Sequence, residues 1–102
     1  MSAGLLLSPI ECYIYTAEST DDIEKERKEV RSAILRNGGI VQSFISEDIN
    51  LIIVIHDCYD QISKLRELSF MIPIVSELWL WESLRLNFLL PYVLSYLFDV
   101  IG

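Results

Sequence analysis

The sequence predicts an α/β domain built on a mostly parallel sheet, and three observations carry that prediction. Runs with strand character alternate with runs of helical period along the chain. Residues 51–55 read LIIVI, an unbroken β-branched stretch of the kind found in strands buried on both faces. The chain has 102 residues, which suits one domain and leaves no room for a second.

The elements follow in order. Glu11 to Thr16 (ECYIYT) reads as the first strand, its tyrosines and Ile14 suiting a pleated surface. Ser19 and Thr20 offer an N-cap for a helix reaching about Asn37, and Asp21 and Asp22 stand in its first turn, where the helix dipole favours acids. Ile23, Val30, Ala33 and Ile34 form its apolar stripe, and Asp21–Lys25 and Glu24–Lys28 are i,i+4 pairs on its wet side. Gly38 and Gly39 end the helix, because a left-handed residue after a helix is cheapest as glycine. A second strand is expected over 40–45, a polar turn over 46–50 and a third strand over 51–55. A short helix over 59–69 would turn Ile62, Leu65 and Leu68 inward. A fourth strand over 72–75 then leads into a helix that Ser76 caps and that runs to about Asn87. On that helix Trp79, Leu80, Ser83 and Leu84 share the face that meets the sheet. Leu78 and Trp81 fall on the far side, beside Glu82 and Arg85.

Composition narrows the function classes. Acidic residues number 15 and basic residues 8, giving a formal charge of −7, so nucleic acid is a poor default partner. Apolar residues make up 52% of the chain, more than so small a domain can bury, which points to contact with another protein. Cys12 and Cys58 lack CxxC spacing and, with a single His, make a poor zinc set; they read as reduced intracellular thiols, and neither a metal nor a cofactor is expected. Residues 1–10 lack the basic and apolar regions of a signal peptide. The apolar stretch 88–101 is too short to span a membrane and is interrupted by Pro91 and Asp99. His56, the one histidine, has no Ser, Cys or Asp at motif spacing, and no phosphate-binding glycine loop is present, so no enzyme is expected. Asp57 follows an apolar strand as a phosphoacceptor would. The acidic pair that would hold Mg²⁺ comes too late, at Asp21-Asp22, and a fifth strand is missing.

Several features coincide in one order: the opening strand and helix, Gly38-Gly39 before the second strand, the apolar third strand, and Lys64 opening the short helix. They continue in Ile72-Pro73-Ile74-Val75-Ser76, then Trp79-Leu80, then Ser83, with Leu89-Leu90-Pro91 and Tyr96 closing. In this the chain resembles the BRCT family across nearly its whole length. The resemblance is that of a divergent member: Ile49-Asn50 stands where the family often has Thr-His, and the first strand lacks the usual glycine and phenylalanine opening. The resemblance implies a BRCT-like fold, a four-stranded parallel sheet in order 2-1-3-4 flanked by three helices. The first and last helices would cover one face and the short helix the other. It places the domain over residues 11–98, with 1–10 leading in and 99–102 as its C-terminal end or a linker. Gly38, Gly39 and Trp79 become structural hallmarks.

The resemblance also implies a non-enzymatic protein-interaction module of a nuclear DNA-damage response or genome-maintenance protein. Some members bind phosphopeptides through a Ser or Thr after the first strand, the next backbone N–H and a Lys opening the second helix. The matching positions are Thr16, Ala17 and Lys64, with Ala17 where glycine is usual. A hydroxyl, an amide and an ammonium together suit a phosphate dianion. The alternative is docking through an apolar face made of Leu78, Trp81, Arg85 and Phe88, to a second BRCT domain or in a homodimer. A third reading, DNA 5′-phosphate end binding, would use Arg27, Lys28 and Arg31. These are interleaved with Glu24, Glu26 and Glu29 and read better as a solvated face.

Overall fold

The computed structural model describes residues 6–16, 20–55 and 72–90. They form β1 (Glu11–Thr16), α1 (Asp21–Arg36), β2 (Ile40–Gln42), β3 (Leu51–Ile55), β4 (Ile74–Ser76) and α2 (Glu77–Leu86). The helix expected over 59–69 lies outside the described residues. All strand pairs are parallel, and the sheet order is β2-β1-β3-β4, as the resemblance implied.

Period-2 alternation sorts the strand residues into two apolar layers. Cys12, Ile14, Leu51, Ile53, Ile55 and Val75 join Val30, Ala33 and Ile34 of α1 and Trp79 and Leu80 of α2. Both helices therefore lie on one face, α1 against β1, β2 and β3, and α2 against β3 and β4. Ile49, Ile52, Val54 and Ile74 are buried on the opposite face, with Tyr13 and Tyr15 packed against them. Every residue of β3 is buried, which is why its sequence shows no alternation.

Local chemistry sets the helix ends. Thr20 caps α1, its Oγ1 accepting from the Ile23 N–H at 3.3 Å. At the other end Gly38 takes the left-handed conformation (φ 86°), and the Gly39 N–H donates to the Ile34 carbonyl at 2.9 Å. Gly39 answers to a different constraint. A Cβ placed there would stand 2.6 Å from Ile34 Cγ2 and 3.3 Å from Leu7 Cβ, so the helix end, the residues before β1 and the entry to β2 meet where only glycine fits. Leu7, in the segment expected to lead into the domain, is itself buried, and its N–H donates to the Asn37 carbonyl at 2.8 Å.

Three details differ from expectation. The second strand ends at Gln42 rather than residue 45, because as an edge strand it pairs only with Glu11–Tyr13 of β1, while β1 continues along β3 to Thr16. The last strand begins at Ile74, two residues late, although the Pro73 carbonyl already accepts from the Ile52 N–H at 3.0 Å. On α1 the ion pair joins Arg27 to Glu24 at 3.9 Å, and among the described residues Lys25 and Lys28 make none. Arg27, three residues on from Glu24, is a neighbour on the same helical face and competes with Lys28 for that carboxylate.

Candidate phosphopeptide interface

The candidate phosphate site begins at the carboxyl end of the sheet. Thr16 is the last residue of β1, one of the two central strands, and pairs with Ile55 at the end of β3. By alternation it shares the face of Cys12 and Ile14, the one that α1 and α2 cover, and it is half-buried. In open parallel sheets this carboxyl edge is where ligands bind. Ala17 and Lys64 lie outside the described residues, so of the three expected phosphate-binding positions the structure describes Thr16 alone. The acids of the first turn of α1, Asp21, Asp22 and Glu24, follow closely in the chain and set a negative field near this edge. A dianion there depends on a compensating cation, the role expected of Lys64.

The hallmark residues make a second, structural constellation. Trp79 is buried and its Nε1–H donates to the Leu90 carbonyl at 2.8 Å. Ser83, one turn on, is also buried; its Oγ accepts from the Leu90 N–H at 3.2 Å, and its carbonyl accepts from the Phe88 N–H at 3.0 Å. Asn87 is left-handed (φ 54°) and turns the chain back so that Leu90 can be held by both side chains. The spacing from Trp79 to Ser83 thus serves to clasp the segment that follows α2.

The outer face of α2 is only partly as expected. Leu78 is 60% exposed and Phe88 61% exposed, and Arg85 is exposed and bonded to Glu82. That bond holds the Glu82 carboxyl below its ordinary range. Trp81 was expected beside Leu78 on the far side and is not there. It is half-buried, packs against the core layer under α1 and α2, and its Nε1–H donates to Glu77 Oε2 at 2.9 Å. The helical wheel misplaced it because a broad indole at the margin of an apolar stripe turns toward the core layer beneath its own helix.

The sequence marks Asn50 as the end of a polar turn and as a departure from the family pattern. Asn50 closes the start of the sheet: its side-chain Oδ1 accepts from the Glu11 N–H at 2.8 Å, and its own N–H donates to the Glu11 carbonyl at 2.8 Å. An amide side chain just before a buried strand was the signal available for this. Cys12 is a free, buried thiol, and desolvation pushes its pKa up to about 12. Among the described residues no group of three or more His, Cys, Asp or Glu could hold a metal ion, and no helix is long and apolar enough to cross a membrane.

The model of the BRCA1 C Terminus (BRCT) domain matches residues 8–84. This chain belongs to the BRCT family. Solved BRCT domains share its fold at low sequence identity. The BRCT domain of human DNA repair protein REV1 is 17% identical over 98% of this chain and 94% of that one, with a TM-score of 0.66. The C-terminal BRCT domain of human XRCC1 is 13% identical over 100% of both chains, with a TM-score of 0.68. The tandem BRCT1,2 of Rad4, solved in complex with a Crb2 phosphopeptide, is 19% identical over 91% of this chain and 48% of that one, with a TM-score of 0.70. No curated protein matches the chain in sequence.

Proposed function

We propose that this BRCT domain is a non-enzymatic interaction module of a nuclear genome-maintenance protein, and that it takes a phosphorylated peptide at the carboxyl edge of its sheet. The observation that carries the reading is Thr16, a half-buried hydroxyl residue ending a central strand at that edge. Lys64 supplies the cation, and the backbone N–H of Ala17 the second donor. A related tandem solved with a phosphopeptide supports the ligand class. Binding of a phosphoserine peptide library to the whole chain tests this, with Thr16→Val and Lys64→Ala as variants. The expected result is phosphate-dependent binding that each variant weakens at least tenfold. Equal binding of phosphorylated and unphosphorylated peptides would remove the pocket from consideration.

A second reading has its own observation. Leu78, Leu86 and Phe88 are exposed along and just beyond α2, beside Arg85, an apolar strip suited to a second BRCT domain or to a homodimer. Size-exclusion chromatography of the Leu78→Asp variant tests it. A wild-type protein that is monomeric at high concentration and shows no partner lost in the variant leaves this strip as spare surface. DNA-end binding has less support: Arg27 is engaged by Glu24, and Lys28 and Arg31 belong to a chain of net charge −7.

A further inference from the structure

An open groove of about 800 Å³ lies between α1 and the indole of Trp81. Its α1 wall carries Lys25, Lys28, Ser32, Leu35 and Arg36, all exposed, at spacings of three and four that keep them on one helical face. Eleven helical steps separate Lys25 from Arg36, about 16 Å, the length of some five residues of extended peptide. Both helices rest on the sheet, and the gap above it is closed on one side by Trp81.

Charge and polarity specify the occupant. Lys25, Lys28 and Arg36 make no ion pair among the described residues, and Glu29 is the one acid on the wall. Three available cations in a chain of net charge −7 are a local reversal of sign. Beside them Leu35 offers an apolar side chain, 47% exposed, and the Nε1–H of Trp81 is already given to Glu77. The indole therefore has its ring surface to offer, which suits an apolar side chain rather than a hydrogen-bond acceptor. A long polyanion such as nucleic acid would meet the negative field of the rest of the domain, whereas a short acidic segment would not.

We propose that the groove between α1 and Trp81 is a second, phosphate-independent docking site for an acidic peptide segment that carries an aromatic or aliphatic anchor. The acids would meet Lys25, Lys28 and Arg36, and the anchor would lie between Leu35 and Trp81. This site uses no residue of the Thr16 and Lys64 pocket, so the two stand or fall separately.

The probe is a fluorescein-labelled 12-residue peptide, unphosphorylated, rich in Asp and Glu around one Leu-Phe pair. Its counterpart has Asn and Gln at the acidic positions, and oligo(dT) of similar charge is the nucleic-acid control. Anisotropy is read on the whole chain at low and high salt, and amide chemical shifts show where the peptide sits. The acidic peptide is expected to bind and to weaken with salt. The neutral peptide, the Lys25→Glu/Lys28→Glu pair and Leu35→Asp should each weaken binding at least tenfold, while Lys64→Ala leaves it unchanged. Shifts should centre on Ser32 and Leu35. Because Lys25, Lys28 and Leu35 are exposed, circular dichroism of these variants should match the wild type. The proposal is overturned by no binding, by equal binding of the neutral peptide, by insensitivity to the charge reversals, by shifts elsewhere, or by preference for oligo(dT).

Discussion

Replacing Gly39 with alanine tests whether the double glycine is one signal or two. At Gly38 the cost is conformational, since its φ of 86° places it in the left-handed region, which costs an L-residue about 1–2 kcal/mol. At Gly39 the cost is steric. The added methyl would stand 2.6 Å from Ile34 Cγ2, well inside the contact distance of about 3.5–4.0 Å between carbons, with Leu7 Cβ at 3.3 Å on another side. Ile34 and Leu7 are both buried, so neither can simply swing into solvent. Overpacking of this kind costs about 1–3 kcal/mol, and two buried neighbours put Gly39→Ala near the top of that range. The clash also predicts its own relief. Ile34→Leu removes the Cγ2 branch at nearly constant volume and alone should cost under about 1.5 kcal/mol. In the double variant the loss should be smaller than the sum of the two single losses by at least about 1 kcal/mol. Urea unfolding of the whole chain, followed by tryptophan fluorescence, measures all four corners of the cycle. Strict additivity, or a Gly39→Ala variant as stable as wild type, would refute the steric account. Gly38→Asn should be the milder change, because asparagine tolerates the left-handed region.

Three further predictions follow from the same contacts. Trp79→Phe keeps most of the apolar burial but leaves the Leu90 carbonyl without its indole donor, and should cost about 1–3 kcal/mol in urea unfolding; a loss below about 0.5 kcal/mol would mean the clasp on Leu90 contributes little. Asn50→Ala removes the side-chain acceptor for the Glu11 N–H and should speed hydrogen exchange at Glu11 while leaving that of Ile53 near the global limit; unchanged exchange at Glu11 would contradict the role given to Asn50. In a Cys58→Ser background, Cys12 should resist iodoacetamide at pH 8 until the protein unfolds, because burial pushes its thiol up to about 12. The unfolded thiol ionises near its ordinary value of about 8.5 while the folded one does not. Folding stability contributed by this group is therefore present below that pH and lost as pH rises toward 12, and a Cys12→Ala control should lack this alkaline loss.

Much of this domain is legible one residue at a time. The continuous run Leu51–Ile55, the Thr20 and Ser76 caps, the left-handed Gly38 and the helical stripe of Val30, Ala33 and Ile34 are local signals, because hydrogen bonding at helix ends and side-chain periodicity depend on near neighbours. The order of motifs extended that reading to the family and so to the sheet order 2-1-3-4. Of the candidate phosphate site, the strand pattern places Thr16 at the end of β1, while the phosphate role proposed for it comes from the family resemblance.

What the sequence could not decide concerns groups far apart in the chain. Gly39 must be glycine because Leu7 and Ile34 converge on it from two sides, a fact no φ preference reveals. Asn50 gains its function only when β3 is laid beside β1 and Glu11 comes within reach. Trp81 is the clearest case. A helical wheel treats its helix as alone and assigns the residue to the outside, but the sheet places α1 alongside. The indole then packs inward and leaves a basic, apolar groove between the helices. Periodicity fixes which way a side chain leaves its own helix, and only tertiary packing decides what it meets there.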